Sequence, residues 1–479
     1  KGLVASPGFI DFHSHTDFRL LVNPKAESKI RQGVTTEVFP NCGSGPAPIL
    51  GEWVPKAEEE LQKFGLKLTW STLAEFHKKV EEKGTAINVV TTVPHSNVRV
   101  AVIGYENREP TPSELDEMKN LVDQGMRDGA YGLCAGLRYV PGSYAEIHEM
   151  IELCKVAAKY DGFYTSHIRS EGDRGSWIDA IQEAIEIGRK SGARIQISHL
   201  KALGRKSWGL STQVLQIIDN AREEGLDITG DQYPYPATGV GLLAMVPKWS
   251  HEGGNKKFFQ RLKNKEDREK IKKGIEESIE DRGGPEKAVV SSFPPNRPYE
   301  GKSILEISKL VHKDPIDTIL QLLETEEKDV GIVNFVMKDE DVENIMRHPH
   351  VMVSTDGSAL APHGPLSEGK PHPRNYGTYA KMLGEYVREK RILRLEEAIR
   401  KMTSLPAQKI GLKNRGMIAK GMHADIVIFD PGAIRDVATF EEPHKFPQGI
   451  KHVIVNGQLV VRDEIQTDAL PGLVLRRGM

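Results

Sequence analysis

Cysteine is scarce: Cys42, Cys134 and Cys154 are the only three in a chain of 479 residues. Three thiols cannot build a disulfide framework, so the fold must rest on a buried core, and the cytoplasm is the default compartment. An excess of one charge is missing too. The 65 Lys and Arg and the 67 Asp and Glu leave a formal charge of −2, too little to attract nucleic acid or an anionic membrane surface. No stretch approaches the roughly 18 apolar residues needed to span a bilayer. Internal repeats, low-complexity tracts and heptad runs are also missing, and the start, Lys1-Gly2-Leu3-Val4, carries no signal-peptide h-region. What is present is a globular composition, 38% hydrophobic and 28% charged. At about 150 residues per domain, the length allows up to three domains or one large barrel with attachments.

From Gly8 to about Asp356, short β-branched runs alternate with longer amphipathic stretches, the pattern of βα units around a parallel sheet. The expected strands are Gly8–His13, Val34–Phe39, Ile87–Val93, Tyr131–Ala135, Phe163–Ser166, Ile195–His199, Leu226–Asp231 and Val351–Thr355. Eight such units predict an α/β fold, a (β/α)8 TIM-like barrel. Tyr144–Lys159 reads as one of its helices, with Ser143 and Glu146 as a capping box. Between the seventh and eighth strands roughly a hundred residues intervene, far more than one βα unit needs. This insertion, about 240–345, has a charge-dense middle, Lys256–Lys287, that reads as surface helices. Its strand-like Gly331–Met337 competes for the eighth barrel position. The barrel is expected over 8–410, with helices at Lys381–Lys390 and Leu395–Thr403. From 411 to 479 a small β module follows, with strands Asp425–Phe429, His452–Val455 and Gln458–Val461 and a two-residue hairpin turn at Asn456-Gly457.

Polar residues gather at the C-terminal ends of these strands: His13 and His15 on the first, Cys42 after the second, His167 on the fifth, His199 on the sixth and Asp356 on the eighth. In a (β/α)8 barrel these ends share one rim, where such folds keep their active sites. A lone histidine at a strand end is usually a packing or capping residue; five such groups at five strand ends are not explained that way. In His-x-His on a strand, both imidazoles face one side and can bind one ion. Zinc suits imidazole, thiolate and carboxylate together, whereas the thiolate disfavours magnesium. Lys201, two residues past His199, faces the same cavity, and Arg374 offers a two-pronged donor for a carboxylate. Tyr233 reads as either a pocket or a core aromatic, and Arg169 as either a pocket residue or a partner of Glu171 or Asp173. Cys134 and Cys154 read as small buried hydrophobes, and His95 as a possible rim residue without a motif behind it.

These residues carry a resemblance. Pro7-Gly8-Phe9-Ile10-Asp11-Phe12-His13-Ser14-His15-Thr16-Asp17 resembles the first-strand signature of the amidohydrolase superfamily. Asn41-Cys42-Gly43, Thr165-Ser166-His167-Ile168-Arg169, Ile197-Ser198-His199-Leu200-Lys201, Asp231-Gln232-Tyr233, Ser354-Thr355-Asp356-Gly357 and His372-Pro373-Arg374 follow in order. Together they resemble the D-aminoacylase (N-acyl-D-amino-acid deacylase) family, which places a cysteine where most superfamily relatives use a carboxylated lysine. The resemblance implies a tightly bound Zn2+ on Cys42, His167 and His199, and a second, weaker site on His13, His15 and Asp356. It implies Asp356 as general base and acid, and Lys201, Tyr233, Arg374 and Tyr139 as residues around the substrate. It also implies that the small β module is built from both chain ends. Residues 1–7 would then be the remnant of its first half, with an upstream segment expected ahead of Lys1.

The implied reaction is hydrolysis of a small-molecule N-acyl-D-amino acid, with no nucleic-acid or membrane partner. The rivals are a dipeptidase acting on C-terminal D-residues, a cyclic amidase, and a non-catalytic barrel scaffold.

Overall fold

Eight short strands pair in parallel, each with the next in chain order: Phe9–Asp11, Val34–Phe39, Asn88–Thr91 continued by Val93–Pro94, Gly132–Gly136, Phe163–His167, Arg194–Ile197, Ile228–Gln232 and Val351–Val353. The computed structural model describes residues 2–172 and 175–478. The last strand closes on the first beyond their regular ends. A parallel bridge joins Ser14 to Gly357, and the Asp356 amide donates to the His13 carbonyl at 2.9 Å. The Tyr379 hydroxyl sits between the Ile10 and Val353 carbonyls, at 3.1 and 3.3 Å. The ring is therefore a closed (β/α)8 barrel of the TIM type. Its strands are buried on both faces, as β-branched runs covered by helices must be. The third strand breaks at Thr92, whose hydroxyl donates instead to the Pro40 carbonyl at 2.6 Å.

The outer helices follow from ordinary end signals. Pro112–Arg127 starts at Thr111, whose side chain accepts from the Glu114 amide while Glu114 reaches back to the Thr111 amide. The capping box expected at Ser143 and Glu146 is not formed. That helix spans Ile147–Lys159 with Glu146 at its N-cap and no side-chain cap. Ser143 lies in the 3-10 turn Gly142–Tyr144, and its carbonyl accepts from Arg169 and Lys248.

The insertion folds on its own core, which includes Leu242, Phe258, Ile275, Val290, Ile304 and Leu323. Its three antiparallel strands run in the order Thr238–Gly241, Gly331–Asn334, Ala288–Ser292. Gly331–Asn334 is thus the middle of this small sheet and leaves the eighth barrel position to Val351–Val353. The charge-dense stretch forms the helices Gly254–Leu262 and Lys265–Asp281, the second burying Ile271, Ile275 and Ile279 on one edge. The helix Asp339–Arg347 packs beside Ser211–Glu223, so it belongs to the outer ring.

After the eighth strand, Arg374–Lys381 continues into π-helical turns over Met382–Glu389, and Leu395–Met402 packs against the first and eighth strands. The five-stranded antiparallel module is ordered Val4–Pro7, Ile426–Phe429, Ile450–Val455, Gln458–Arg462, Ile465–Gln466. Asn456 (φ +47°) and Gly457 (φ +81°) make its hairpin turn. The tail then leaves the module and lies along Thr85–Val89, where the Val89 amide donates to the Leu473 carbonyl and the Leu475 amide donates to the Val89 carbonyl, both at 2.8 Å. Among the described residues no helix is long and apolar enough to cross a membrane.

Candidate metal centre and substrate cavity

Cys42, His199 and Asp356 end their strands with φ of +54°, +33° and +47°. L-residues in this region cost about 1–3 kcal/mol each, a strain characteristic of functional sites. The turn at Cys42 depends on Gly43 (φ +83°): a Cβ there would stand 2.5 Å from the Gly136 amide nitrogen, and one on Gly136 would stand 2.1 Å from the Cys42 carbonyl oxygen. Only two glycines in contact let the thiol reach the barrel axis.

Three donor atoms converge there. Cys42 Sγ lies 3.4 Å from His167 Nδ1 and 3.5 Å from His199 Nε2, and the two nitrogens are 3.0 Å apart. Tetrahedral zinc with ligands at 2.0–2.3 Å needs donor separations of about 3.3–3.6 Å, so the set fits with small adjustment. The protonation chemistry fits as well. Burial, with neighbouring cationic groups, lowers His167 to about 3 and also lowers His199, leaving neutral imidazoles. Burial pushes the Cys42 thiol well up, so the thiolate that these residues can offer requires a cation beside it. A second set adjoins the first. His13 Nε2 lies 3.4 Å from both Cys42 Sγ and Asp356 Oδ1, and His15 Nε2 lies 3.1 Å from the same carboxylate oxygen. Cys42 and Asp356 thus stand between two potential metal positions.

Two buried carboxylates, Asp231 and Glu171, to which the sequence reading gave no role beside the metal donors, face these candidate ligands. Asp231 accepts the His199 amide at 2.9 Å and the Ser354 hydroxyl at 2.7 Å, and lies 3.3 Å from His13 Nδ1. Glu171 turns one oxygen towards each outer imidazole nitrogen, Oε1 at 2.9 Å from His199 Nδ1 and Oε2 at 3.4 Å from His167 Nε2. It also accepts from Lys201 Nζ at 2.5 Å. Burial alone would raise the Glu171 carboxyl; Lys201 and the two histidines override it and hold it well below the carboxylate range. Glu171 follows His167 in an irregular loop, where no periodicity marks it. Asp231 ends the seventh strand and was legible only as part of a motif.

The remaining expected residues take distinct places. Arg374 Nη1 lies 2.7 Å from Asp356 Oδ2. Burial would raise Asp356, yet Arg374, His199 and His13 hold it well below the carboxylate range. His372 sets the Arg374 turn, accepting the Arg374 amide on Nδ1 at 3.0 Å with Nε2 3.0 Å from the Ala237 carbonyl. Tyr233 is 2% exposed and lies beneath the two cations, 4.7 Å from the Arg374 guanidinium carbon and 5.9 Å from Lys201 Nζ. Tyr139 is 37% exposed, with its ring 4.8 Å from that of His167. Arg169 turns away from the pocket: it pairs with Glu183 at 2.8 Å because Glu171 points inward, while Asp173 lies outside the described residues. His95 is buried against Glu149 at 2.7 Å, away from the cavity wall, and Cys134 and Cys154 are buried. A cavity of about 370 Å³ opens over the metal donors, bordered by Tyr139, Lys201, Asp356 and Arg374 and roofed by Thr238–Gly241 of the insertion.

Fold and site together define a barrel of the amidohydrolase type. The profile of the Amidohydrolase family matches residues 333–461. The chain is 32% identical to the N-acyl-D-glutamate deacylase of Alcaligenes xylosoxydans xylosoxydans over 478 residues, 99% of this chain and 87% of that one. It is 32% identical to the D-aminoacylase of the same organism over 477 residues, 100% of this chain and 88% of that one. The crystal structure of N-acyl-D-glutamate deacylase from Bordetella bronchiseptica, complexed with zinc and a phosphonate mimic of the reaction's tetrahedral intermediate, superposes with a TM-score of 0.82. That chain is 31% identical, and the match covers 99% of this chain and 89% of that one. The chain belongs to the D-aminoacylase (N-acyl-D-amino-acid deacylase) family of amidohydrolases.

Proposed function

We propose that this chain catalyses zinc-dependent hydrolysis of the amide bond of N-acyl-D-amino acids, releasing the acyl group as a carboxylate together with the free D-amino acid. The observation that carries this reading is the convergence of Cys42 Sγ, His167 Nδ1 and His199 Nε2 beside Asp356 in a chain similar to deacylases over its whole length. Zinc on those three donors would polarise the scissile carbonyl and lower the pKa of water towards about 7. His13, His15 and Asp356, with His13 and His15 Nε2 3.4 and 3.1 Å from Asp356 Oδ1, would hold a second ion more weakly.

The chain's own residues do the rest. Arg374 and Lys201, resting on the Tyr233 ring, receive the substrate carboxylate. Both cations already face an anion, Asp356 and Glu171 respectively, so the substrate enters by competing for them. Sharing Arg374 with the substrate frees the Asp356 carboxylate, which takes a proton from the attacking water. The same carboxyl then gives that proton to the departing amine as the C–N bond breaks. Tyr139, whose ring stands 4.8 Å from that of His167, borders the same cavity and shapes the space left for the substrate.

Turnover of a panel of N-acetyl-D- and N-acetyl-L-amino acids with zinc present tests the reading. Chelator-sensitive release of D-amino acids is expected; a preference for L-substrates throughout would overturn it.

A further inference from the structure

Beside the metal donors lies a second, smaller chamber of about 120 Å³. It shares Asp17 and Ser44 with the catalytic cavity. These residues stand two positions past His15 and Cys42, so the mouth of the chamber lies next to the donor cluster. Its wall is mainly apolar, with Phe18, Ile49, Trp53, Leu61, Leu68 and Trp70; Asp17, Lys56 and Glu60 also line it. Ile49, Trp53, Leu61 and Trp70 are buried, and the one polar atom of Trp70 is spent, donating from Nε1 to the Pro46 carbonyl at 2.7 Å. The chamber is also built stiffly. Asn97 holds the loop that carries its mouth, donating to the Gly45 and Pro48 carbonyls at 2.8 and 2.9 Å and accepting the Gly45 amide at 3.2 Å.

An N-acyl amino acid leaves its scissile carbonyl in opposite directions, the acyl chain one way and the amino-acid portion the other. The groups suited to the carboxylate, Lys201, Tyr233 and Arg374, come from the sixth, seventh and eighth strands. The apolar chamber opens from the loops after the first and second strands, and in the closed eight-stranded ring the second strand stands opposite the sixth, which leads into Lys201. An outer chamber of about 710 Å³, which meets the catalytic cavity at Ser44, Arg138, Tyr139, Val240 and Gly241, offers separate room for the amino-acid side chain, although it also borders the apolar chamber at Ser44, Lys56 and Glu60.

We infer that the apolar chamber is an acyl-chain subsite, taking an unbranched, uncharged acyl group of about six carbons, with the carbonyl and the carbon next to it in the catalytic cavity and the other four in the chamber. At about 30 Å³ per water-sized group, its volume accommodates about four such groups. This inference rests on the deacylase reading, and the test separates the two.

The experiment compares kcat/KM for N-acetyl, N-butyryl, N-hexanoyl and N-decanoyl forms of one D-amino acid with zinc-loaded protein. The expected series rises about fourfold per methylene to hexanoyl, from the transfer of buried CH2 groups out of water, and falls at decanoyl. Ala57 faces the chamber from the helix Trp53–Gln62. Ala57→Phe fills the space and brings the hexanoyl-to-acetyl ratio down to about one. Trp53→Ala enlarges it and moves the optimum to a longer chain. Ratios between substrates do not depend on how much of a variant folds. A flat acyl series with acetyl substrates turned over overturns the subsite alone, as does an unmoved optimum in Trp53→Ala. A variant that changes amino-acid preference at constant acyl chain also overturns it. Failure to cleave any N-acyl-D-amino acid overturns the deacylase reading itself.

Discussion

The Arg374 guanidinium lies 2.7 Å from the Asp356 carboxylate, and both side chains are 8% exposed. A buried pair of this kind is held by its own attraction and resists entry of a third charge unless that charge replaces one partner. In the proposed reaction a substrate carboxylate would do so, and the site would then gain a base as it gains a ligand. Arg374→Met removes the receptor for the carboxylate and leaves Asp356 with the histidines alone. Its kcat/KM is expected to fall at least about 100-fold on N-acyl-D-amino acids, the usual scale for breaking a buried charge pair. On the matching N-acyl amine, which lacks the carboxylate, the loss shrinks to a few fold. Equal losses on both substrates would place Arg374 in the scaffold.

Asp356→Asn separates metal binding from proton transfer. Cys42, His167 and His199 converge without help from Asp356, so zinc content should stay at one equivalent while turnover falls by about 100-fold or more, the usual share of a general acid–base group. Metal analysis and steady-state rates on the same preparation check it. A fully active variant would remove Asp356 from the mechanism.

A third prediction concerns the far end of the barrel from the rim. Burial pulls the Lys401 ammonium from 10.5 down to about 7, against the opposing pull of Glu397, and its Nζ donates to the His348 carbonyl. Between pH 7 and 10.5 the unfolded chain holds a proton here that the folded chain does not. Stability therefore rises with pH across that window, and the full cost of the buried lysine is present below pH 7. Lys401→Met trades that cost for an unsatisfied carbonyl. It should be more stable than the parent by about 2 kcal/mol at pH 6 and no more stable at pH 10. Urea midpoints across that range check the sign, and parallel profiles for the two proteins would refute it.

The barrel was legible because its strands are β-branched runs buried on both faces, a pattern local enough to read without the fold. Its rim was legible because His13, His15, Cys42, His167, His199 and Asp356 fall at strand ends, where topology alone brings them together. What stayed hidden depends on three-dimensional direction. Arg169 pairs with Glu183, on a helix fourteen positions away, because the nearer Glu171 turns towards the histidines. Ser143 looks like a helix cap, but its carbonyl is drawn into contacts with Arg169 and Lys248 that no local pattern announces. Tyr233 could be read as pocket or core; beneath two cations, it is a platform for both.

Glu171 gives the sharpest separation of positioning from stability. Its two oxygens face the outer nitrogens of His199 and His167, leaving His199 Nε2 and His167 Nδ1 for a metal. Such outer partners fix the tautomer and the ring angle, and losing one typically costs 10- to 100-fold in metal affinity. Glu171→Gln keeps the volume but leaves only one acceptor oxygen, so one imidazole loses its tie and Lys201 loses its counter-ion. Zinc affinity, measured by competition with a chelator, is expected to fall about 10- to 100-fold, with Glu171→Asp recovering part of it. The rise in Tm on adding zinc should shrink to match, because ligand-linked stability follows the dissociation constant. A variant that melts earlier as apoprotein yet binds zinc as tightly as the parent would show that Glu171 holds Lys201 and the loop after His167, and not the metal ligands.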